Sequence, residues 1–350
     1  MFKLLLTISF ICLLPLFYCE KAEDTLILAH VLARHGNRTA EVDFMFPTYP
    51  LQQTSYYPYG PGELTLDGKK LMAGVGKALR ERYGHFLGDC YSHGLIEAIS
   101  SGYKRTMMSL QVILAGLFIP SNSCVLKGNL NWQPVPFSYL PFYKDKFFAM
   151  QKICPNILAV QTKPNKDQLE LYKYLSEHSG LNITNSYGTF AVVGSIQNLL
   201  DLGFEAPEWS VSVWPQLLRD QEGIQFLQDL VDQKLKMLSG SLILKIHEDS
   251  HKKINGTFQP KMVLYSGHDI NMAGLLGVCE IFKREYISYG SYIIIELHKI
   301  EAKYYVKVLY ENYKFDKPEV MVLPNCSEYC EFEKFVEITK KFYPNEIWCS

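Results

Sequence analysis

Three segments of the chain repeat one pattern of apolar and polar positions. Thr25–Ala33 (TLILAHVLA) is a continuous apolar run of buried-strand length, and the polar turn Arg34-His35-Gly36-Asn37-Arg38 follows it. Leu95–Ser100 (LIEAIS) is a shorter strand candidate. It leads through Ser-Gly-Tyr-Lys-Arg, ending at Arg105, into a helical pattern that opens at Thr106. Lys261–Ser266 (KMVLYS) is a third buried run, followed by Gly267-His268-Asp269 and a helix from Ile270. Strand, glycine-containing polar turn and helix, repeated, predict an α/β fold with a mainly parallel central sheet flanked by helices. In such sheets ligands bind beyond the carboxyl ends of the strands, so the three polar turns are expected to meet on one edge.

Between the second and third of these runs the pattern changes. Residues 126–254 carry Pro- and aromatic-rich loops and two stretches of helical periodicity, KDQLELYKYLSEHSG and QFLQDLVDQKLKMLSGSLILKIHEDS. They predict a smaller, mostly helical cap domain inserted into an α/β catalytic domain made of 23–125 and 255–350. After the third run, SYIIIELHKI and KYYVKVLYEN read as two antiparallel strands. Early in the chain, a loop with four tyrosines and four prolines ends at Thr65, a suitable N-cap for a helix over Leu66–Leu87.

The amino end bears on the compartment. Lys3 precedes an uncharged apolar stretch, Leu4–Phe17, which has signal-peptide length and falls short of the roughly 20 apolar residues of a membrane span. Residues 1–22 are therefore expected to be a cleaved secretory signal. The mature chain is expected to be soluble, without a membrane anchor, and secreted, with the lysosomal lumen as the alternative. Thirty-five basic against thirty-six acidic residues leave a formal charge of −1, without the basic footprint of a nucleic-acid binder. A local arginine cluster can still bind a small anion. Cys12 and Cys19 leave with the signal, so seven of nine cysteines enter an oxidising compartment and at least one is unpaired or intermolecular. Cys326 and Cys330 are close enough for a local bridge. Cys90 precedes the second strand and Cys124 follows the next helix, which places both at the sheet end away from the turns and favours their pairing.

If the turns converge, Arg34, His35, Arg38, Arg105, His268 and Asp269 share one site. Three guanidiniums offer planar forks for phosphate oxygens, with a charge that does not titrate. An imidazole among them is held neutral by their field, so a ring nitrogen is free to attack phosphorus; a carboxylic acid opposite can protonate the departing alkoxide. His35 and Asp269 suit these two roles. Arginines do the neutralising, so no metal or other cofactor is called for. Asn37-Arg38-Thr39 is formally a glycan acceptor, but a sugar there would block the site, and Asn182, Asn255 and Asn325 are the better acceptors.

RHGNR followed much later by GHD resembles the histidine acid phosphatase family, the secreted and lysosomal type within the histidine phosphatase superfamily. The resemblance spans nearly the whole mature chain and includes FPTYP, YPYGPGELTLDGKK, KRTMMSLQVILAGLF, NWQPVPF and LPNCSEYCEFEKF. It implies hydrolysis of phosphate monoesters through a phosphohistidine on His35, with Asp269 as proton donor. It also implies phosphoryl binding by Arg34, Arg38 and Arg105 with help from His268, and disulfides Cys154–Cys349 and Cys326–Cys330. Cys279 is left unassigned. Two departures stand out: Ala40 replaces the family's usual Pro, and AISSGYKRT replaces a longer RSTDxDRT-like turn before Arg105. The alternatives are a non-catalytic phospholigand-binding protein on the same scaffold and a narrower phosphatase of phytase or lysophosphatidate type. The candidate rim is mainly aromatic or neutral, which favours a small, weakly charged phosphomonoester substrate over phytate. A homodimer is compatible with the sequence.

Overall fold

The computed structural model describes residues 25–121, 124–126, 130–154, 165–214, 223–313 and 317–344. The expected signal, 1–22, and Cys349 lie outside them. One mixed sheet organises the chain. Its strands are β1 (Leu26–Arg34), β2 (Ile96–Ser100), β3 (Ser138–Tyr139), β4 (Met262–Gly267), β5 (Tyr292–Ile300), β6 (Lys303–Glu311), β7 (Glu319–Met321) and β8 (Cys330–Glu331). The order is β3-β2-β4-β1-β5-β6-β7, with β8 against β6. β3, β2, β4 and β1 are parallel, and β5 to β8 extend the sheet antiparallel.

The unbroken apolar runs are explained by burial on both faces. In β1, Leu28 and Leu32 point into one core while Ala29, Val31 and Ala33 point into the other; β4 divides likewise, Val263 and Tyr265 against Met262 and Leu264. A strand covered on both sides needs no polar alternation. One face is covered by α1 (Leu66–Leu87) and α2 (Lys104–Leu117). Thr65 caps α1, its hydroxyl accepting from the Gly68 amide at 3.1 Å.

Two further helices, α3 (Leu169–Ser179) and α4 (Ser186–Asp201), enclose a separate apolar cluster with Phe46, Leu175, Val192 and Ile196. α4 has no counterpart among the sequence expectations. Nine of its sixteen residues are buried, including small and polar ones, so it presents no apolar stripe against a charged face. The opposite face of the sheet carries α5 (Gly223–Ile254) and α6 (Asp269–Val278), and α7 (Phe332–Thr339) joins the same core. Leu238, Leu242 and Ile246 of α5 lie in the sheet's own core. We propose that 126–254 is inserted as a cap, with α5 as the element it shares with the α/β part.

Disulfides join Cys90 to Cys124 and Cys326 to Cys330. Cys154 is also disulfide-bonded, and Cys279 is a buried free thiol pushed up to about 12 by burial. Among the described residues no helix is long and apolar enough to cross a membrane.

α1 and α2 cross where Gly76 meets Gly116. A Cβ on Gly76 would stand 2.3 Å from the Ile113 carbonyl oxygen, which is backbone and cannot swing aside. Gly76→Ala is therefore expected to cost about 1–3 kcal/mol, as overpacking does. Gly74→Ala, with open space around it, should be neutral or stabilising through helix propensity. Urea unfolding checks this, and equal midpoints for the two variants would contradict the close crossing.

Candidate active site

Strand register brings the turns together. Arg34 is level with Gly267 across β1 and β4, and Ser100 with Ser266 across β2 and β4. The His35 amide donates to the Gly267 carbonyl at 3.1 Å, and the His35 carbonyl accepts from the Gly290 amide at 3.2 Å. Behind it, Gly36 presses on the first turn of α1. Its added Cβ would lie 2.5 Å from the Gly68 oxygen, and its amide donates to Ser109 Oγ at 3.2 Å. The Asn37 carbonyl accepts from the Thr65 amide at 3.0 Å. The arginine- and histidine-bearing turn is thus pinned by β4, α1 and α2 together.

His35 is buried and its protonation is legible from its partners. Nδ1 lies 2.8 Å from the Gly36 carbonyl, an acceptor only, so Nδ1 carries the hydrogen. Nε2 then presents a lone pair, which accepts from Arg105 Nε at 3.2 Å. Burial, then the charge of Arg105, then His268, Arg34 and Arg38 hold its pKa well below the usual histidine value. His268 meets the His35 ring edge-on at 5.4 Å between centroids. Its Nε2 is 3.0 Å from Ser101 Oγ, and burial followed by the same three arginines keeps it neutral as well.

Each arginine has a counterpart. Arg34 lies over the Tyr289 ring at 4.1 Å, donates to the Ile287 carbonyl, and pairs with Asp269 at 2.7 Å. Burial alone would lower its pKa, but the Asp269 charge reverses the direction. Arg38 donates to the Thr39 carbonyl at 2.8 Å. Arg105 stacks over Tyr103 at 4.3 Å and pairs with Glu41 at 3.0 Å. Burial and the charge of Arg38 pull Arg105 down to about 10, which still leaves it charged at acid and neutral pH. Asp269 opens α6, accepting from the Ile270 amide at 2.8 Å, with its carboxylate side-chain only 15% exposed.

All six residues expected from the turns therefore meet in one cluster. The shortened turn before Arg105 still delivers its guanidinium, because Ser101 and Thr106 close it locally: their hydroxyls are 2.7 Å apart, and Thr106 also donates to the Tyr103 carbonyl at 2.8 Å. Four contributors escaped sequence reasoning. Ser101 and Tyr103 lie within a turn already singled out, so position was the available signal. Glu41 and Tyr289 lie in loops whose residue pattern carries none. A cavity of about 700 Å³ lies beside the cluster, lined among others by Asn37, Asp201 and Tyr289. None of the six cluster residues lines it, so convergence of side chains, not cavity size, marks the site.

Chemically, the cluster is a neutral, buried imidazole whose Nε2 lone pair faces Arg105, with three positive charges around it and a carboxyl group beside them. Residues 25–185 match the family model described as histidine phosphatase superfamily, branch 2. Venom acid phosphatase Acph-1 of Apis mellifera is 31% identical over 91% of this chain and 86% of its own. The prostatic acid phosphatase of Homo sapiens is 27% identical, over 89% of this chain and 84% of its own. Among solved structures, a Hafnia alvei phytase superposes with a TM-score of 0.66 over 93% of this chain and 98% of its own at 14% identity, a likeness of fold. With arginine- and histidine-bearing turns assembled at one sheet edge, and relatives alike over nearly their full lengths, the chain belongs to branch 2 of the histidine phosphatase superfamily.

Proposed function

We propose that the protein is an acid phosphatase that hydrolyses small phosphate monoesters through a phosphohistidine on His35. The observation carrying this reading is the orientation of His35: the Nδ1 hydrogen is spent on the Gly36 carbonyl and the Nε2 lone pair faces the arginines. In the first step phosphoryl oxygens take the guanidiniums of Arg34, Arg38 and Arg105, with His268 beside them. Nε2 attacks phosphorus in line, the bond to the ester oxygen breaks, and Asp269 gives that oxygen its proton. In the second step the Asp269 carboxylate takes a proton from water, the water oxygen attacks phosphorus, and the phosphorus–nitrogen bond breaks to restore the Nε2 lone pair. Arg34 links the two ends, since an arriving phosphoryl group draws it from Asp269.

The exposed acceptors Asn182, Asn255 and Asn325 are the proposed glycan sites. Asn37 remains bare, half-buried at a cavity wall with its carbonyl held by Thr65. Similarity to venom, prostatic and lysosomal acid phosphatases supports a place in the secretory pathway.

Wild-type protein should hydrolyse p-nitrophenyl phosphate in the presence of EDTA, and His35→Ala should lose roughly 10³-fold or more in kcat, as loss of a nucleophile does. If wild type and variant were equally inert, the phospholigand-binding reading would replace catalysis.

Asp269→Asn should lose about 10²-fold or more on an alkyl monoester such as glycerol phosphate, because that leaving group needs a proton. The loss should be smaller on p-nitrophenyl phosphate, whose anion leaves unaided. The pH profile follows with its sign. His35 is held neutral well below the usual histidine value by burial and the surrounding arginines, so acid does not disarm the nucleophile. Turnover of p-nitrophenyl phosphate should therefore persist into the acid range; its loss through a single protonation at the ordinary histidine value would contradict the neutral His35.

A further inference from the structure

We infer that Glu41 is a specificity-determining residue, a carboxylate built into the phosphate pocket that limits how much negative charge a substrate can bring. The inference deepens the proposed function and rests on it. Glu41 Oε1 lies 3.0 Å from Arg105 and 4.0 Å from Arg38, two of the three guanidiniums assigned to the phosphoryl group. Its place is fixed by backbone: the Glu41 carbonyl accepts from the Phe44 amide at 3.0 Å, and the preceding Ala40 carbonyl accepts from Gly62 at 2.9 Å. Across the opening, Asp269 pairs with Arg34 at 2.7 Å. The Tyr187 phenol, raised by burial, is raised further by Glu41 and Asp269, so it feels the charge of both carboxylates.

The charge balance then decides what the pocket accepts. Before substrate binds, three guanidiniums against the carboxylates of Asp269 and Glu41 leave a single net positive charge; once Asp269 carries the proton it donates, Glu41 is the negative charge left among them. One phosphoryl group can be neutralised by displacing these carboxylates. A substrate with further phosphates brings charge that neither Tyr103 nor Phe142 answers. Lys104, next to Arg105, is already paired with Glu63 at 3.2 Å, and Tyr103 packs at a tilt on Phe142 with ring centroids 4.6 Å apart. Glu41 is not the sole contact on Arg105. The guanidinium also donates to His35 at 3.2 Å, a bond released when Nε2 attacks, and lies over the Tyr103 ring at 4.3 Å. Glu41 acts mainly as a competitor for the arginines that bind substrate.

The test is titration calorimetry of wild type, Glu41→Gln, Glu41→Asp and Arg105→Ala with inorganic phosphate and with inositol hexakisphosphate. Kinetics on p-nitrophenyl phosphate run alongside. Removing one negative charge at this distance should tighten phosphate binding about tenfold and inositol hexakisphosphate binding by more. KM should fall by more than kcat changes, and Glu41→Asp, which keeps the charge on a shorter side chain, should tighten phosphate binding less than Glu41→Gln does. Phosphate binding unchanged or weakened in Glu41→Gln, while Arg105→Ala still abolishes it, would overturn the inference and leave the phosphatase reading standing. Absence of phosphate binding to wild type and Arg105→Ala alike would overturn both.

Discussion

The site depends on one constraint: burial among three guanidiniums disfavours a second proton on the imidazole. Desolvation and the positive field act in the same direction on His35, and the Gly36 carbonyl settles which nitrogen keeps the hydrogen. A histidine in water would be partly protonated at mildly acid pH and blunted as a nucleophile. In the proposed mechanism the cations assigned to the phosphate also keep its attacker neutral. Binding and activation are thus one arrangement, and an enzyme working in an acid compartment gains most from it.

The scaffold serves that arrangement by level strand ends and close backbone approaches. Parallel pairing of β2, β4 and β1 ends three strands at one height, and Gly36 against Gly68 lets the His35 turn rest on the start of α1. The counterions are built in as well. Asp269 pairs with Arg34 and Glu41 with Arg105, so the charge cluster is tolerable without substrate. Under the proposed function a phosphoryl group would exchange these partners and not enter a field of bare cations.

Much of this was legible in the residue pattern, for physical reasons. β1 and β4 are buried on both faces, which writes them as unbroken apolar runs, and Thr65 with Leu66–Leu87 carries both a cap and a helical period. The six cluster residues could be placed because each sits just past such a run, where a parallel sheet collects its turns. α4 was not legible, since a helix buried on most sides shows no amphipathic stripe. Glu41 and Tyr289 were not legible either. They reach the site from loops whose paths are set by tertiary packing, and a single Glu or Tyr in a loop carries no periodicity to read.

The account turns on covalent catalysis by His35, and the direct measurement is to quench the enzyme during turnover of a ³²P-labelled monoester and map the label. The expected result is an acid-labile, alkali-stable phosphoramidate on the peptide carrying His35, absent from His35→Ala. Label on a different side chain, or steady turnover with no trapped phosphoprotein while direct transfer to water is demonstrated by single inversion at a chiral phosphorus, would contradict it.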